Sequence, residues 1–165
     1  MNGLHFIALG ANLTAPDGTP PLATCIWAAT QLMALEGVTS ACRSRWFSSG
    51  PVPASDQPRY INGMVRFRAD ISPARLLADL HSIEVRAGRV RGAPNAARVL
   101  DLDIIDMGSL VRDAPDPILP HPRMHERAFV LLPLRDLAPA WVHPRLGTPI
   151  AQLVAALPRQ DIRPA

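Results

Sequence analysis

In the stretch ARVLDLDIIDMG (97–108), Asp101 and Asp103 stand two apart inside an otherwise apolar run. On a strand, side chains two apart point the same way. Both carboxylates therefore share a face with Ile105, while Leu100, Leu102 and Ile104 take the other face and feed a core. Two carboxylates this close repel unless a cation sits between them. A small all-oxygen donor set suits Mg²⁺, which keeps water ligands and shares substrate phosphates. A solvated strand face, or a pair salt-bridged to arginines, fits D-x-D alone as well. The loop just before it, GRVRGAPNAAR (88–98), sets Arg89, Arg91 and Arg98 beside the acids, with Arg98 three residues ahead of Asp101. Acids that hold a divalent cation next to arginines that hold phosphate oxygens make a polyphosphate site, the alternative being a solvated basic loop.

Two further clusters bear on chemistry. In LPHPRMHERAF (119–129), His121 and His125 are four apart, but there is no HExxH, no third ligand, and Pro122 interrupts the spacing. Zinc is disfavoured, and phosphate contacts from His121 and Arg127 fit the neighbouring residues better. In DQPRYINGMVRF (56–67), Tyr60 and Asn62 share a strand face, where a ring and a side-chain amide can stack on and hydrogen-bond a flat heterocycle. An exposed Tyr–Asn pair is also ordinary on a strand. His5 and His143 have no such company and read as structural.

Composition narrows the options. All 17 basic residues are arginine, so a phosphate-loop, Schiff-base or kinase-strand lysine is excluded. Any bound polyphosphate must be gripped by arginine, backbone amides or metal. The net charge of +3 does not by itself imply nucleic acid. Cys25 and Cys42 form no close pair, in keeping with a reduced, cytoplasmic protein. There is no signal-like N-terminus and no apolar run of membrane-spanning length.

The elements that must position these groups follow from pattern. LHFIALG (4–10) reads as a strand, residues 20–37 as a helix with prolines at its start and glycine at its end, and 38–47 as a strand. A turn-rich loop (48–58) precedes a strand over 59–70 whose alternation sets Tyr60, Asn62, Met64, Arg66 and Arg68 against Ile61, Val65 and Phe67. Residues 72–88 form a helix with a serine cap, a first-turn proline and a stripe of Leu76, Leu77, Leu80 and Ile83. Then come the arginine loop, a strand over 99–108, a helix over 123–137 and a short one near 149–157. No repeat or long linker divides the 165 residues, so one domain over 1–165 is expected. The order β-α-β-β-α-β is that of an α+β, ferredoxin-like sandwich. Its crossovers predict the first and the acid-bearing strands near the middle of the sheet.

Together, FIALGANL, DQPRYIN, IEVRAGRVR, ARVLDLDI and LPHPRMHERAFVLLPL, in that order over residues 4–139, resemble the 6-hydroxymethyl-7,8-dihydropterin pyrophosphokinases of folate synthesis. The resemblance implies transfer of pyrophosphate from ATP to the pterin's hydroxymethyl group, leaving AMP, with two Mg²⁺ ions held by Asp101 and Asp103. Arg89 and Arg98 would be mobile-loop arginines serving the transferring group. Glu84, Arg91, Ile104, His121 and Arg127 would line the ATP site. The pterin would lie between Tyr60 and Phe129, bonded by Asn62 and by backbone of Ser49–Val52, including Pro51. Small-molecule substrates, a monomer, and no nucleic acid or membrane partner are implied. The sequence departs from the family pattern in places: APNAAR lacks a usual loop tryptophan, His81 stands where glutamine is common, and Asp116 stands near a usual basic residue. Proline follows His121 where an aromatic is frequent, and SSGPVP replaces a T-P-P-x-G loop. Two other readings compete, an RNA-binding ferredoxin-like module that stacks bases on sheet aromatics and a catalytically dead nucleotide-binding domain.

Overall fold

The run LHFIALG belongs to β1, which extends over Asn2–Ala11 as an interior strand of a six-stranded antiparallel sheet. The computed structural model describes residues 2–165. In chain order the elements are β1, α1 (Pro21–Met33), β2 (Thr39–Arg43), β3 (Phe47–Ser49), β4 (Tyr60–Asp70), α2 (Pro73–Arg86) and β5 (Asp101–Met107). A 3-10 turn (Met124–Glu126), α3 (Ala128–Leu137), α4 (Ile150–Ala156) and β6 (Ile162–Pro164) complete them. This is the expected α+β, ferredoxin-like order with additions at the C-terminal end.

The sheet runs β5-β1-β4-β3-β6, with β2 also paired to β4. The acid-bearing strand is therefore at an edge, not near the middle as its crossover predicted. The reason is that β1 is the strand used on both sides: it pairs β4 through Gly10–Asn62 and Ala8–Met64, and β5 through Gly10–Asp101 and Ala8–Asp103. The strand predicted over 38–47 is split. Ser44 leaves the ladder to bond Met64 through its backbone and its hydroxyl, and Trp46 packs flat where Gly63 has no room for a Cβ. The helix predicted over 123–137 is a 3-10 turn and α3, separated by Arg127 in extended conformation (φ −115°, ψ 110°).

Each sheet face has its own core. Ile7, Leu9, Val65, Phe67, Leu102 and Ile104 pack with Ala28, Leu32, Leu76, Leu80 and Ile83 of α1 and α2. Phe6, Met64 and Ile105 pack on the opposite face with Val130, Leu131 and Leu134 of α3 and with α4. α2 starts as its sequence predicts: the Ser72 hydroxyl accepts from the Arg75 amide and Pro73 opens the helix, a cap stabilising by about 1 kcal/mol. Its apolar stripe holds β5 from behind, so that the strand's inner face is fixed while the carboxylate face stays open. No helix among the described residues is long and apolar enough to cross a membrane.

Candidate active site

The register across three strands builds the floor. Asp101 on β5, Gly10 on β1 and Asn62 on β4 form one row, and Asp103, Ala8 and Met64 the next. The small residues between acids and amide leave a concavity. A cavity of about 290 Å³ opens there, lined by Ser49, Pro51, Val52, Tyr60, Asn62 and Phe129 at one end and by Arg98, Asp101, Asp103, His121 and Arg127 at the other. A second cleft of about 380 Å³ runs past the open edge of β5. Its walls include His81, Arg89, Ile104 and Asp116, and it shares Arg98, Asp101, Asp103 and His121 with the first. Two concave spaces thus meet at the carboxylates.

Asp101 Oδ1 accepts from both Arg98 Nη1 (2.7 Å) and Arg89 Nη1 (3.1 Å). Arg89 also pairs with Glu84, whose Oε1 accepts the Leu102 amide at 2.7 Å. Glu84 is only 4% exposed, and burial pushes its carboxyl up. It therefore ties the arginine loop to the back of β5 and lines neither cleft. Arg91 is exposed and lines neither cleft. Ile104 belongs both to the second cleft and to the core behind it.

Asp103 is pushed up to about 7, by burial first and by the Asp101 charge second, with Arg127 opposing. A carboxyl that resists ionisation beside another carboxylate marks a place short of positive charge. Among the described residues no group of three or more His, Cys, Asp or Glu side chains is placed to hold a metal ion by itself. A cation here would hold two carboxylates and complete its shell with water and phosphate oxygens, the donor set that suits Mg²⁺. His121 is pushed down to about 4 by burial and the nearby Arg127, so it is a neutral hydrogen-bonding group at physiological pH. Its Nδ1 accepts the Arg123 amide at 3.2 Å.

At the other end, Asn62 Nδ2 donates to Ser49 Oγ at 2.7 Å. Asn62 Oδ1 accepts no hydrogen bond among the described residues, so this buried amide offers an acceptor to a ligand N–H. Tyr60 and Phe129 supply ring surfaces, and Arg127 lies 5.5 Å from the centre of the Phe129 ring.

Two residues with no role assigned from sequence join the loops around this space. The Asn12 side chain accepts the Arg98 amide at 2.8 Å and donates to Gln57 and to the Pro58 carbonyl, while Gln57 Nε2 donates to the Asn95 carbonyl at 2.8 Å. Loop 48–58 and loop 89–98 are thereby fastened to each other. Both residues lie inside stretches that carry the family resemblance, which was the only signal of them.

A family model described as 7,8-dihydro-6-hydroxymethylpterin-pyrophosphokinase matches residues 6–139. The chain belongs to this family. A Synechocystis protein named 2-amino-4-hydroxy-6-hydroxymethyldihydropteridine pyrophosphokinase is 38% identical over 90% of this chain and 73% of its own length. The Pseudomonas aeruginosa protein of the same name is 37% identical over 95% of this chain and 93% of its own. In three dimensions the pyrophosphokinase fold superposes on a crystal structure of Plasmodium falciparum HPPK-DHPS with a TM-score of 0.69. That likeness spans 94% of this chain and 44% of that one at 11% identity.

Proposed function

We propose that this chain transfers a pyrophosphoryl group from ATP to the hydroxymethyl group of 6-hydroxymethyl-7,8-dihydropterin, leaving AMP. The observation that carries this reading is the meeting of two clefts at one charged junction. One cleft is ring- and amide-lined and suited to a flat heterocycle; the other is bounded by α2 and the 116–122 segment and suited to a nucleotide. Family membership supports the same reaction.

The residues divide by chemistry. Asn62 Oδ1 accepts from a ring N–H, and Tyr60 and Phe129 stack on the pterin, with Ser49, Pro51 and Val52 closing over it. Asp101 and Asp103 would hold Mg²⁺, two ions being the family expectation, and the metal would supply positive charge against the phosphate chain. Arg89 and Arg98 reach the transferring group, and His121 and Arg127 hold the phosphates from the other side, with Arg91 joining from its exposed loop position. Such transfer depends on positioning and charge neutralisation more than on covalent help. The joined loops 48–58 and 89–98 exclude water that would otherwise hydrolyse ATP. Residues 1–165 act as one monomeric cytoplasmic domain with small-molecule substrates.

The RNA-module alternative lacks a free platform. Phe67 is fully buried beneath α1 and α2, and α3 covers the face that Tyr60 shares with Met64. The deciding assay supplies ATP, Mg²⁺ and 6-hydroxymethyl-7,8-dihydropterin and measures pterin-dependent AMP. Asp101→Ala is expected to keep the circular dichroism spectrum and lose that activity. Near-wild-type turnover from the variant would remove the metal role from Asp101, and no AMP from the parent would remove the function.

A further inference from the structure

The C-terminal segment lies beyond the family model's match, which ends at residue 139, yet it touches both walls of the pterin-sized cleft. Gln160 Oε1 accepts the Ala128 amide at 3.0 Å, and Gln160 Nε2 donates to the Glu126 carbonyl at 2.9 Å. These two groups flank Arg127. Ala128 is the first residue of α3, whose opening amides have no partner inside the helix, and the N-cap side chain supplies none. A glutamine amide carries one acceptor and two donors. It can therefore bridge a carbonyl and an amide on either side of one residue, as a neighbouring strand would. Arg127 is thus fixed in its extended conformation. Both Arg127 and Phe129, the second residue of α3, line the cleft.

The next residue does the same for the opposite wall. The Asp161 carbonyl accepts the Gly50 amide at 2.9 Å, and the Asp161 carboxylate pairs with Arg59, which in turn donates to the Ser48 hydroxyl and carbonyl. Gly50 is approached so closely that a Cβ there would lie 2.8 Å from Asp161 Oδ2. β6 then runs along β3, with Ile162 opposite Ser49, the partner of Asn62. Two consecutive residues therefore set the gap between the Phe129 wall and the Ser49–Val52 rim.

We infer that Gln160 is a positioning residue for the heterocyclic substrate: by bracing both sides of Arg127 it fixes the direction of Arg127 and Phe129, while Asp161 fixes the rim they face. The inference rests on the proposed placement of the pterin in this cleft. Gln160 touches no reacting atom, so its loss acts on substrate position. The cleft past β5 shares Arg98, Asp101, Asp103 and His121 but includes neither the tail nor Arg127 among its walls. Of the nucleotide contacts only that of Arg127 is therefore disturbed, and the pterin, which also loses the set of Phe129, is affected more.

The test is Gln160→Ala beside Gln160→Glu. The glutamate can still accept the Ala128 amide, with its charge favoured at a helix N-terminus, but cannot donate to Glu126. Losing both bonds is expected to raise the pterin KM and Kd about tenfold, with kcat and the ATP KM within about threefold. Gln160→Glu is expected to recover most of the loss. In the unliganded protein the Ala128 amide should exchange with solvent about tenfold faster in Gln160→Ala, its bond being the one removed. A pterin KM and an Ala128 exchange rate both at parent values would overturn the inference, as would an equal rise in both substrates' KM. If the parent makes no AMP, the functional reading fails on that result alone. The positioning role is then decided by Ala128 exchange and by quenching of the fluorescence of the dihydropterin itself: unchanged values overturn it, and faster exchange with weaker binding upholds it.

Discussion

Asp103→Asn separates what the site costs the fold from what it does. The Asp103 carboxyl is pushed from 3.8 up to about 7 by burial and the Asp101 charge. The folded state therefore binds a proton more tightly than the unfolded chain. Relative to a neutral side chain its contribution is nil below pH 3.8, turns unfavourable as pH rises towards 7, and is a fixed deficit above that. At ~1.4 kcal/mol per pH unit the full deficit is about 4 kcal/mol. Relaxation of Arg127 and entry of water reduce it, and about 2 kcal/mol is the expected gain when asparagine replaces the acid. For a chain of this size that raises Tm by about 5 °C. Urea unfolding of both proteins at pH 4 and pH 8, without divalent cation, reads the difference directly, because every other titrating group is common to both. Asparagine should be near neutral at pH 4 and stabilising at pH 8, while AMP formation is lost. Millimolar Mg²⁺ should then stabilise the parent at pH 8 more than the variant, by mass action on the folded state. An asparagine variant that is less stable at pH 8, or whose gain is the same at both pH values, refutes the account of Asp103 as a buried acid short of positive charge.

Three other substitutions test separate parts. Arg98→Ala is expected to lower kcat about a hundredfold or more with the pterin KM within a few-fold, because the guanidinium acts on charge that develops in transfer; steady-state kinetics with an unchanged kcat would refute it. Gly10→Val adds branched methyls to the floor between Asp101 and Asn62, where even a bare Cβ would already sit 3.5 Å from Asn62 Oδ1. The pterin KM should rise at least tenfold while thermal unfolding changes little, and a parent-like KM would show that the substrate does not use this floor. Trp141→Phe removes the 2.8 Å bond from Nε1 to the buried Asp106 carboxylate, at an expected loss of about 2 kcal/mol at pH 8. Burial pushes the Asp106 carboxyl up, so protonation comes more readily than usual and the loss should shrink as pH falls; denaturant curves showing an equal loss at acid pH would contradict this.

Much of the site was legible because it is written in local periods. Alternation in VLDLDII separates the metal-type acids from the core, and the serine, proline and leucine stripe of 72–88 announce the helix behind them. What escaped was whatever a distant partner decides. Glu84 lies next to Ile83 in an ordinary helical pattern, and only Leu102 and Arg89, brought in by the fold, explain its burial. The tail RQDIRP carries two charged arginines, an acid and a proline, with no alternation long enough to announce a strand, yet β3 offers it an edge. Strand order also resisted reading: local pattern marks β5 as a strand but does not reveal on which flank it ends.

That flank matters for the chemistry. A central β5 would have a neighbour on each side, and its carboxylates could be approached only from above the sheet. At the edge, β1 with Ala8 and Gly10 lies on one side and no strand on the other, where the backbone meets the Glu84 carboxylate through the Leu102 amide and the 119–121 segment through the His121 amide and the Ile105 carbonyl. The first cleft approaches Asp101 and Asp103 over β1 and β4, and the second approaches them past the free edge between α2 and residues 116–122. Two substrates can then reach one pair of acids from different directions without competing for the same surface. An edge strand is normally a pairing hazard. Here Arg89, Arg98 and Asp101 place charge along it, and the same charges are those that the proposed pyrophosphoryl transfer would use.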